Sequence, residues 1–304
     1  EPMTMAVLQG YVLNQGDAWK YTLDVLNSYF ETALVWKAKV EPELSTTKPL
    51  IALEIEPVPP LAQETIGHYL ESARLLGQRT AELHLALASV KGDPNFAPEP
   101  FSALYQRSIY QSMRNLTARN FQLMRSRLRY LPESLREEAQ QLLELETEVF
   151  KRFRSLVDQK INAMRIRVHG DYHLGQVLYT GKDFVIIDFE GEPARSLTER
   201  RLKRSPLRDV AGMLRSFHYA ANHAILTNTF RSEDISTMEK WANFWQFWVS
   251  TVFLQNYFAV ACQGDFLPAT GEQLQILLDA YCLEKAIYEL GYELNNRPDW
   301  VKIP

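Results

Sequence analysis

The chain has 304 residues, which is enough for about two domains of ordinary size or for one large lobe. Its 46% hydrophobic and 23% charged residues are typical of a globular protein and exclude a disordered one, and two cysteines exclude a disulfide scaffold and a Cys-rich zinc site. The 33 Lys and Arg against 37 Asp and Glu give a net charge of −4, so there is no bulk attraction to nucleic acid or to an anionic membrane.

The first third of the chain predicts a strand, a loop and two helices. Residues 5–12 are an apolar run that ends at a polar turn, which predicts a strand. Asp17 then caps a first helix. Residues 37–60 carry five prolines and are predicted to be mostly loop. Apolar residues at helical spacing predict one long helix over 61–90, in which Gly77 is the weak point of the pattern.

The remainder predicts a helical body with a small β insert. Two helical stretches at 101–163 are expected to form a hairpin, and short β-branched runs within 165–192 predict strands at 165–168 and 184–187. Three further helices are predicted, at 207–226, 233–263 and 271–296. The apolar window 241–262 contains four amide side chains, which favours a buried helix over a membrane span. We therefore expect a mainly α (α+β) protein of the cytoplasm.

The β insert carries the residues with recognisable chemistry. The string 168–178 reads VHGDYHLGQVL and places Asp171 behind one predicted strand, with Gln176 five residues later. The string 186–192 reads IIDFEGE and places Asp188 behind the other. Phosphoryl transfer needs one carboxylate to orient the acceptor hydroxyl and oxygen ligands for the magnesium ion on the nucleotide phosphates. Either triplet alone is common by chance, whereas both in this order favour a functional site.

These strings resemble the catalytic and metal loops of the aminoglycoside-phosphotransferase-like kinases, which share the C-terminal lobe of protein kinases. Gln at position 176 and the following DFEGEP are similar to maltokinases, which make maltose 1-phosphate from maltose and ATP and often occur with a trehalose synthase. The strings 8–23, 205–221 and 288–304 extend this resemblance over nearly the whole chain. It implies a protein-kinase-like C-terminal lobe over residues 17–304.

The resemblance also implies roles for individual residues. Asp171 would be the catalytic base, and Gln176 and Asp188 would bind Mg²⁺. Glu190 would support the metal site. The expected loop-positioning residues are His169 and Asp209.

Residues 1–16 resemble the hinge strand of these kinases, and ATP would meet the hinge backbone at Gln9, Gly10 and Tyr11. No glycine-rich loop with its lysine is recognisable in the sequence. We therefore expect the chain to be a C-lobe cut near the hinge, and to be inactive without an N-terminal lobe.

Sugar recognition is expected from the last helix. Sugars present an apolar face and a ring of hydroxyls, so aromatic residues beside amides suit them. The candidates are Tyr288, Tyr292, Asn295 and Trp300, although packing of the tyrosines against the body explains the pattern equally well. Trp19 and the tryptophans of 241–248 are expected to be core residues.

Three functions remain open at this stage. The first is phosphorylation of maltose, with ATP, maltose and a trehalose synthase domain or subunit as partners. The second is a kinase for another small alcohol, such as an aminoglycoside or choline. The third is a non-catalytic sugar-binding or assembly domain of a trehalose synthase fusion. No nucleic-acid or membrane partner is expected from any of them.

Overall fold

The computed structural model describes residues 8–44 and 57–304, which form a mainly helical body. In chain order the helices are α1 (Ala18–Trp36), α2 (Pro60–Ile66), α3 (Tyr69–Ser89), α4 (Ala103–Arg127), α5 (Glu133–Glu144), α6 (Glu146–Asp158), α7 (Leu197–Arg200), α8 (Leu207–Thr227), α9 (Ile235–Ala261) and α10 (Gly271–Asn296). The strands are β1 (Glu99–Pro100), β2 (Met164–Arg165), β3 (Val177–Tyr179) and β4 (Phe184–Ile186).

The beginning of the described chain differs from the predicted strand. Residues 5–7 lie outside the described residues, and residues 8–12 are neither strand nor helix. Leu8 and Tyr11 are exposed, and a strand requires a neighbouring strand to satisfy its backbone groups. Backbone pairing occurs later, where Gln15 N–H donates to Tyr179 O at 2.8 Å. The segment just before α1 therefore lies along β3.

Helix α1 begins where the sequence predicts, because the Asp17 side chain accepts a hydrogen bond from Lys20 N–H at 2.8 Å. Its buried face includes Leu26 and Phe30. The cap satisfies one of the backbone donors that a helix N-terminus leaves free.

The helix predicted over 61–90 is two helices, and the break is at Gly67. That glycine has φ of +61°, a conformation that other residues adopt at a cost. Gly77, the position that weakens the pattern, lies inside the continuous helix α3, where a Cβ atom would collide with the carbonyl oxygen of Phe253 on α9. The missing side chain lets the two helices approach closely.

The predicted hairpin over 101–163 is also subdivided, because a turn at Leu145 separates α5 from α6. The β insert is smaller than predicted. β1 pairs with β2 through Glu99 and Arg165, and β3 pairs antiparallel with β4. Ile166 adds one antiparallel bridge to Arg204, so the strand predicted at 165–168 is wrong beyond residue 166. The short β3–β4 ribbon carries the two candidate loops at its ends.

The core lies among α3, α8, α9 and α10. Trp241 and Trp245 of α9 are fully buried, as predicted for that cluster. Within residues 8–44 and 57–304, no helix combines the length and apolar character needed to cross a membrane. Helix α8 runs beneath the β insert, and its first turn supplies the anchor of the site described next.

Candidate active site

The turn before Asp171 is held by a buried carboxylate. Asp209, in the first turn of α8, accepts hydrogen bonds from His169 N–H at 2.7 Å and from Gly170 N–H at 3.0 Å. Gly170 has φ of +88°, which permits two successive N–H groups to point at one carboxylate. This geometry suits the loop-positioning role expected for Asp209, which stays a prediction.

Behind Asp209, two of the core helices complete the anchor. His84 Nε2 of α3 lies 3.2 Å from Asp209 Oδ2, and His84 Nδ1 lies 2.9 Å from the hydroxyl of Tyr257 on α9. Burial alone would raise the pKa of the Asp209 carboxyl. The hydrogen bond and charge of His84, the charge of His169 and the Gly170 N–H outweigh burial and hold that pKa below its usual range.

His169 joins the two loops of the site. Its Nε2 donates to Ile187 O at 2.7 Å, directly before Asp188, and its Nδ1 accepts from Asp171 N–H at 3.4 Å. The ring is almost fully buried. These contacts suit the loop-packing role expected for His169, which stays a prediction.

Asp171 is fixed by its neighbour as well. Tyr172 is buried and its hydroxyl lies 2.8 Å from that of Thr80. A Cβ at position 212 would come within 2.5 Å of Tyr172 O, so the glycine on α8 lets the turn settle against the helix. The Asp171 side chain itself remains 15% exposed and faces the cleft described below.

Gln176 and Asp188 lie side by side. Gln176 Nε2 donates to Asp188 Oδ2 at 2.8 Å, and Ile187 N–H donates to Gln176 O at 3.0 Å. Asp188 has φ of +62°, a region that Asp adopts more readily than most residues. Its exposed carboxylate thus points away from the body at the end of β4.

This pair fits a magnesium ion by chemistry. Mg²⁺ prefers oxygen ligands and needs only one or two carboxylates, since waters and phosphates complete its shell. To bind the ion through its oxygen, the Gln176 side-chain amide must flip, because in this structure it donates its N–H to Asp188. Glu190 is exposed two residues farther on. Across the described part of the chain, no cluster of three or more His, Cys, Asp or Glu side chains is arranged to hold a metal by itself.

A cleft with a volume of about 450 Å³ opens beside Asp171. Its walls combine aromatic, acidic and basic side chains. They come from α1, the catalytic turn, α8 and α10, and include Trp19, His173, Glu192, Tyr219, Lys285, Tyr288, Glu289, Tyr292, Glu293 and Arg297.

Ion pairs fix the acidic groups on α10. Arg215 of α8 binds Glu289 at 2.8 Å, and Arg297 binds the buried Glu293 at 2.7 Å. The hydroxyl of Tyr219 donates to Glu293 at 2.8 Å. Burial raises the pKa of Glu289 despite the opposing charge of Arg215. The floor of the cleft is therefore rigid and rich in hydrogen-bonding groups.

A smaller cavity beneath Asp171 is closed by a second ion-pair cluster. Half-buried Arg208 lies 3.0 Å from Glu284 of α10, and Arg195 lies 3.8 Å from the same carboxylate. Burial and the neighbouring Glu192 raise the pKa of Tyr288 at its edge to about 12. Since Arg195 follows the Asp188 loop in sequence, this cluster ties that segment to the floor of the cleft.

The residues expected to bind sugar divide into two groups. Tyr288 and Tyr292 line the cleft, whereas Asn295 and Trp300 do not. Asn295 bonds back to Gly291 O in its own helix, and Trp300 packs against the Arg297 guanidinium at 4.2 Å. Glu293 and Arg297, on either side of Asn295, do line the cleft, so Asn295 lies on another face of the helix end, and Trp300 lies in the 3₁₀ turn Pro298–Trp300 beyond α10.

Sequence reasoning missed several cleft residues and misplaced one. Trp19, expected in the core, lines the cleft together with Lys285 and Glu289. The helical spacing in α10 could have identified these cleft residues, because one face of the helix carries residues 285, 288, 289, 292 and 293. The expected hinge residues at 9–11 are exposed, and their contact with the nucleotide stays a prediction.

Part of the chain is similar in sequence to known phosphotransferases. Residues 42–192 match the model of the phosphotransferase enzyme family. Two curated relatives are glucosamine kinases. The chain is 27% identical over 142 residues to that of Streptacidiphilus jiangxiensis, covering 46% of this chain and 30% of the relative. It is 29% identical over 140 residues to that of Mycolicibacterium smegmatis, covering 45% and 32%. The match thus spans about a third of each relative's length.

Solved structures extend the similarity to nearly the whole chain. A glucosamine kinase in complex with glucosamine, ADP and inorganic phosphate superposes with a TM-score of 0.65 at 18% identity, covering 95% of this chain and 59% of that one. A second crystal form gives 0.66, with 95% and 58% covered. The chain therefore has the kinase-like fold expected from its sequence. At 18% identity these structures show the fold alone, and none of the similarities singles out maltokinases.

Proposed function

We propose that the chain carries the acceptor and metal half of a sugar kinase that transfers the γ-phosphoryl group of ATP to a sugar hydroxyl. The observation that supports this most is the position of Asp171. It lies on a rigid turn between the Gln176–Asp188 pair and a cleft with aromatic and acidic walls. His173 lies beside it, with Nε2 3.9 Å from Asp171 Oδ2.

In this reaction Asp171 orients the acceptor hydroxyl and takes its proton, while Asp209 of α8 keeps the turn before Asp171 in place. Asp188 and Gln176 would hold magnesium, with Glu190 nearby. When bound, that ion neutralises charge on the nucleotide phosphates. Fixed geometry is the main contribution such a protein makes to phosphoryl transfer.

Maltose is the acceptor we propose first. The resemblance of HLGQVL and DFEGEP to maltokinases supports it, and so does a long cleft in which Trp19, Tyr288 and Tyr292 offer apolar faces to sugar rings. The same resemblance makes a trehalose synthase domain or subunit the partner to test by co-purification. Nucleotide contact at residues 9–11 belongs to this proposal as well.

Glucosamine is a second candidate. Glu192, Glu289 and Glu293 line the cleft and suit an ammonium group, and the relatives described above are glucosamine kinases. Arginines already neutralise Glu289 and Glu293, which leaves Glu192 as the carboxylate most available to a substrate amine.

The test measures ADP release by the kinase that contains this chain together with an N-terminal lobe, with Mg·ATP and maltose, glucosamine or no sugar, alongside sugar binding by calorimetry. Asp171→Asn is expected to lower turnover by about 10²–10⁴-fold, because a positioned base is removed, while sugar binding is nearly retained. Asp158→Asn, an exposed change on α6, is the matched control. A loss below about tenfold for Asp171→Asn would contradict the role as base. A higher specificity for glucosamine would replace maltose as the acceptor.

A further inference from the structure

A histidine inside the cleft has no role in the mechanism above. His173 lies two residues after Asp171, between the catalytic turn and the short 3₁₀ turn Leu174–Gln176. Its side chain is 39% exposed and lines the cleft. An imidazole at this position is close enough to Asp171 to contact the same substrate group.

A backbone hydrogen bond fixes which ring nitrogen of His173 carries the proton. Nδ1 accepts from Gly175 N–H at 3.1 Å and so caps the 3₁₀ turn. In a neutral imidazole one nitrogen is the acceptor and the other the donor. The proton is therefore on Nε2, and the capping bond holds the ring so that this N–H lies on the Asp171 side.

The distance from His173 to Asp171 suits a bridging atom. Nε2 lies 3.9 Å from Asp171 Oδ2, too far for a direct hydrogen bond. One hydroxyl oxygen at about 2.7 Å from the carboxylate and about 2.9 Å from the nitrogen would span this gap, with an angle of roughly 90° at the oxygen. Burial lowers the pKa of His173 although Asp171 opposes the shift, which favours the neutral ring.

We infer that His173 is a catalytic residue that donates its Nε2–H to the acceptor hydroxyl oxygen while Asp171 accepts the proton of that hydroxyl. One lone pair of the oxygen is then occupied, and the remaining one is directed at phosphorus. The oxygen forms a bond to the γ-phosphorus, the bond from that phosphorus to the bridging oxygen breaks, and its electron pair leaves with ADP. The hydroxyl proton passes to Asp171. This inference rests on the proposed function.

Two substitutions separate the cap from the distal donor. His173→Asn keeps an oxygen where Nδ1 accepts from Gly175 but removes the distal N–H. His173→Gln keeps a distal N–H and loses the cap. His68→Asn, an exposed change before α3, is the control. The measurements are kcat and KM with maltose and with glucosamine, sugar affinity by calorimetry, and the melting temperature.

We expect His173→Asn to melt like the wild type, to bind sugar more weakly and to lose roughly 10–100-fold in kcat, the cost of a misdirected nucleophile. His173→Gln is expected to melt lower yet to keep more of the rate. An Asn variant with wild-type kcat and affinity, or a Gln variant slower than the Asn variant, would overturn the inference.

The outcome for the proposed function is read separately. Sugar binding by the wild type without ADP release would count against phosphotransfer. The sugar affinities of His173→Asn and His173→Gln, measured by calorimetry, would still show whether His173 contacts the sugar hydroxyl. If the wild type bound neither sugar, the inference would be overturned as well.

Discussion

The hydrogen bonds of Asp209 allow a quantitative prediction for Asp209→Asn. The carboxylate accepts from His169 N–H, Gly170 N–H and His84 Nε2 at 2.7, 3.0 and 3.2 Å. Hydrogen bonds to a charged group contribute about 1.5–3 kcal/mol each, and neutral ones about 0.5–1.5 kcal/mol. At best the Asn oxygen keeps two bonds at neutral strength and turns its NH₂ toward the third donor. Weakening two bonds and losing one costs about 3–5 kcal/mol.

A neutral amide is cheaper to bury than a carboxylate, which returns part of this cost. The expected net loss in the free energy of unfolding is about 2–4 kcal/mol. It should appear as a fall of roughly 5 °C or more in the melting temperature. The catalytic turn also loses its anchor, so turnover should fall more than the fraction of folded protein does. Asp24→Asn, exposed on α1, is the control for the removal of a carboxylate.

The pH dependence provides the refuting measurement. Because folding lowers the pKa of Asp209, the carboxylate stabilises the fold fully above the pKa of about 3.9 in the unfolded chain. This stabilisation is lost as the pH falls through the lower pKa of the folded state. The difference in unfolding free energy between wild type and Asp209→Asn, from urea titrations, should be constant above about pH 5 and shrink in acid. A difference below about 1 kcal/mol at neutral pH, or one that grows in acid, would refute the reasoning.

Two further predictions concern the metal pair and the close approach of α3 and α9. Asp188→Asn, which tolerates the positive φ at this position, is expected to weaken Mg·ATP binding more than Gln176→Ala does, because a charged ligand contributes more to binding a hard cation than an amide does. Calorimetric titration with Mg·ATP measures both affinities, and the opposite ranking would exchange the roles of the two residues. Gly77→Ala is expected to lower the free energy of unfolding by about 1–3 kcal/mol, because its methyl group meets the backbone of α9. Gly92→Ala, in open space, should change it by less than about 0.5 kcal/mol, and equal melting curves for the two variants would contradict the packing argument.

Local signals in the sequence predicted much of this fold. Amphipathic periodicity located α1, α4 and the three C-terminal helices, because each buries one face on the same core. The two glycines of 61–90 were harder to separate. Gly67 is needed for its backbone angle and Gly77 for its missing side chain, and the sequence shows only two glycines. Which of them interrupts the helix depends on where α9 crosses.

In the candidate site, too, local sequence patterns predicted the features within one segment but not those that join distant elements. Asp171, Gln176 and Asp188 stand within one short segment, so their spacing along the chain predicted their proximity, and the role of each remains a prediction. The cleft wall is assembled from residues as distant as Trp19 and Lys285. No local pattern relates such positions, and Trp19 taken alone is indistinguishable from a core tryptophan. Ion pairs such as Arg215–Glu289 likewise join separate helices.

The two carboxylates of the site differ in how they are tied to the body. The amides before Asp171 bond to a buried group wedged between three long helices, so that turn can open only when the whole domain unfolds. Asp188 is exposed where β4 ends, at the open end of the ribbon, and its carboxylate accepts from the Gln176 amide. The chain thus pairs a turn whose direction is fixed from inside the core with a surface carboxylate that can exchange its amide partner for a ligand on the phosphates.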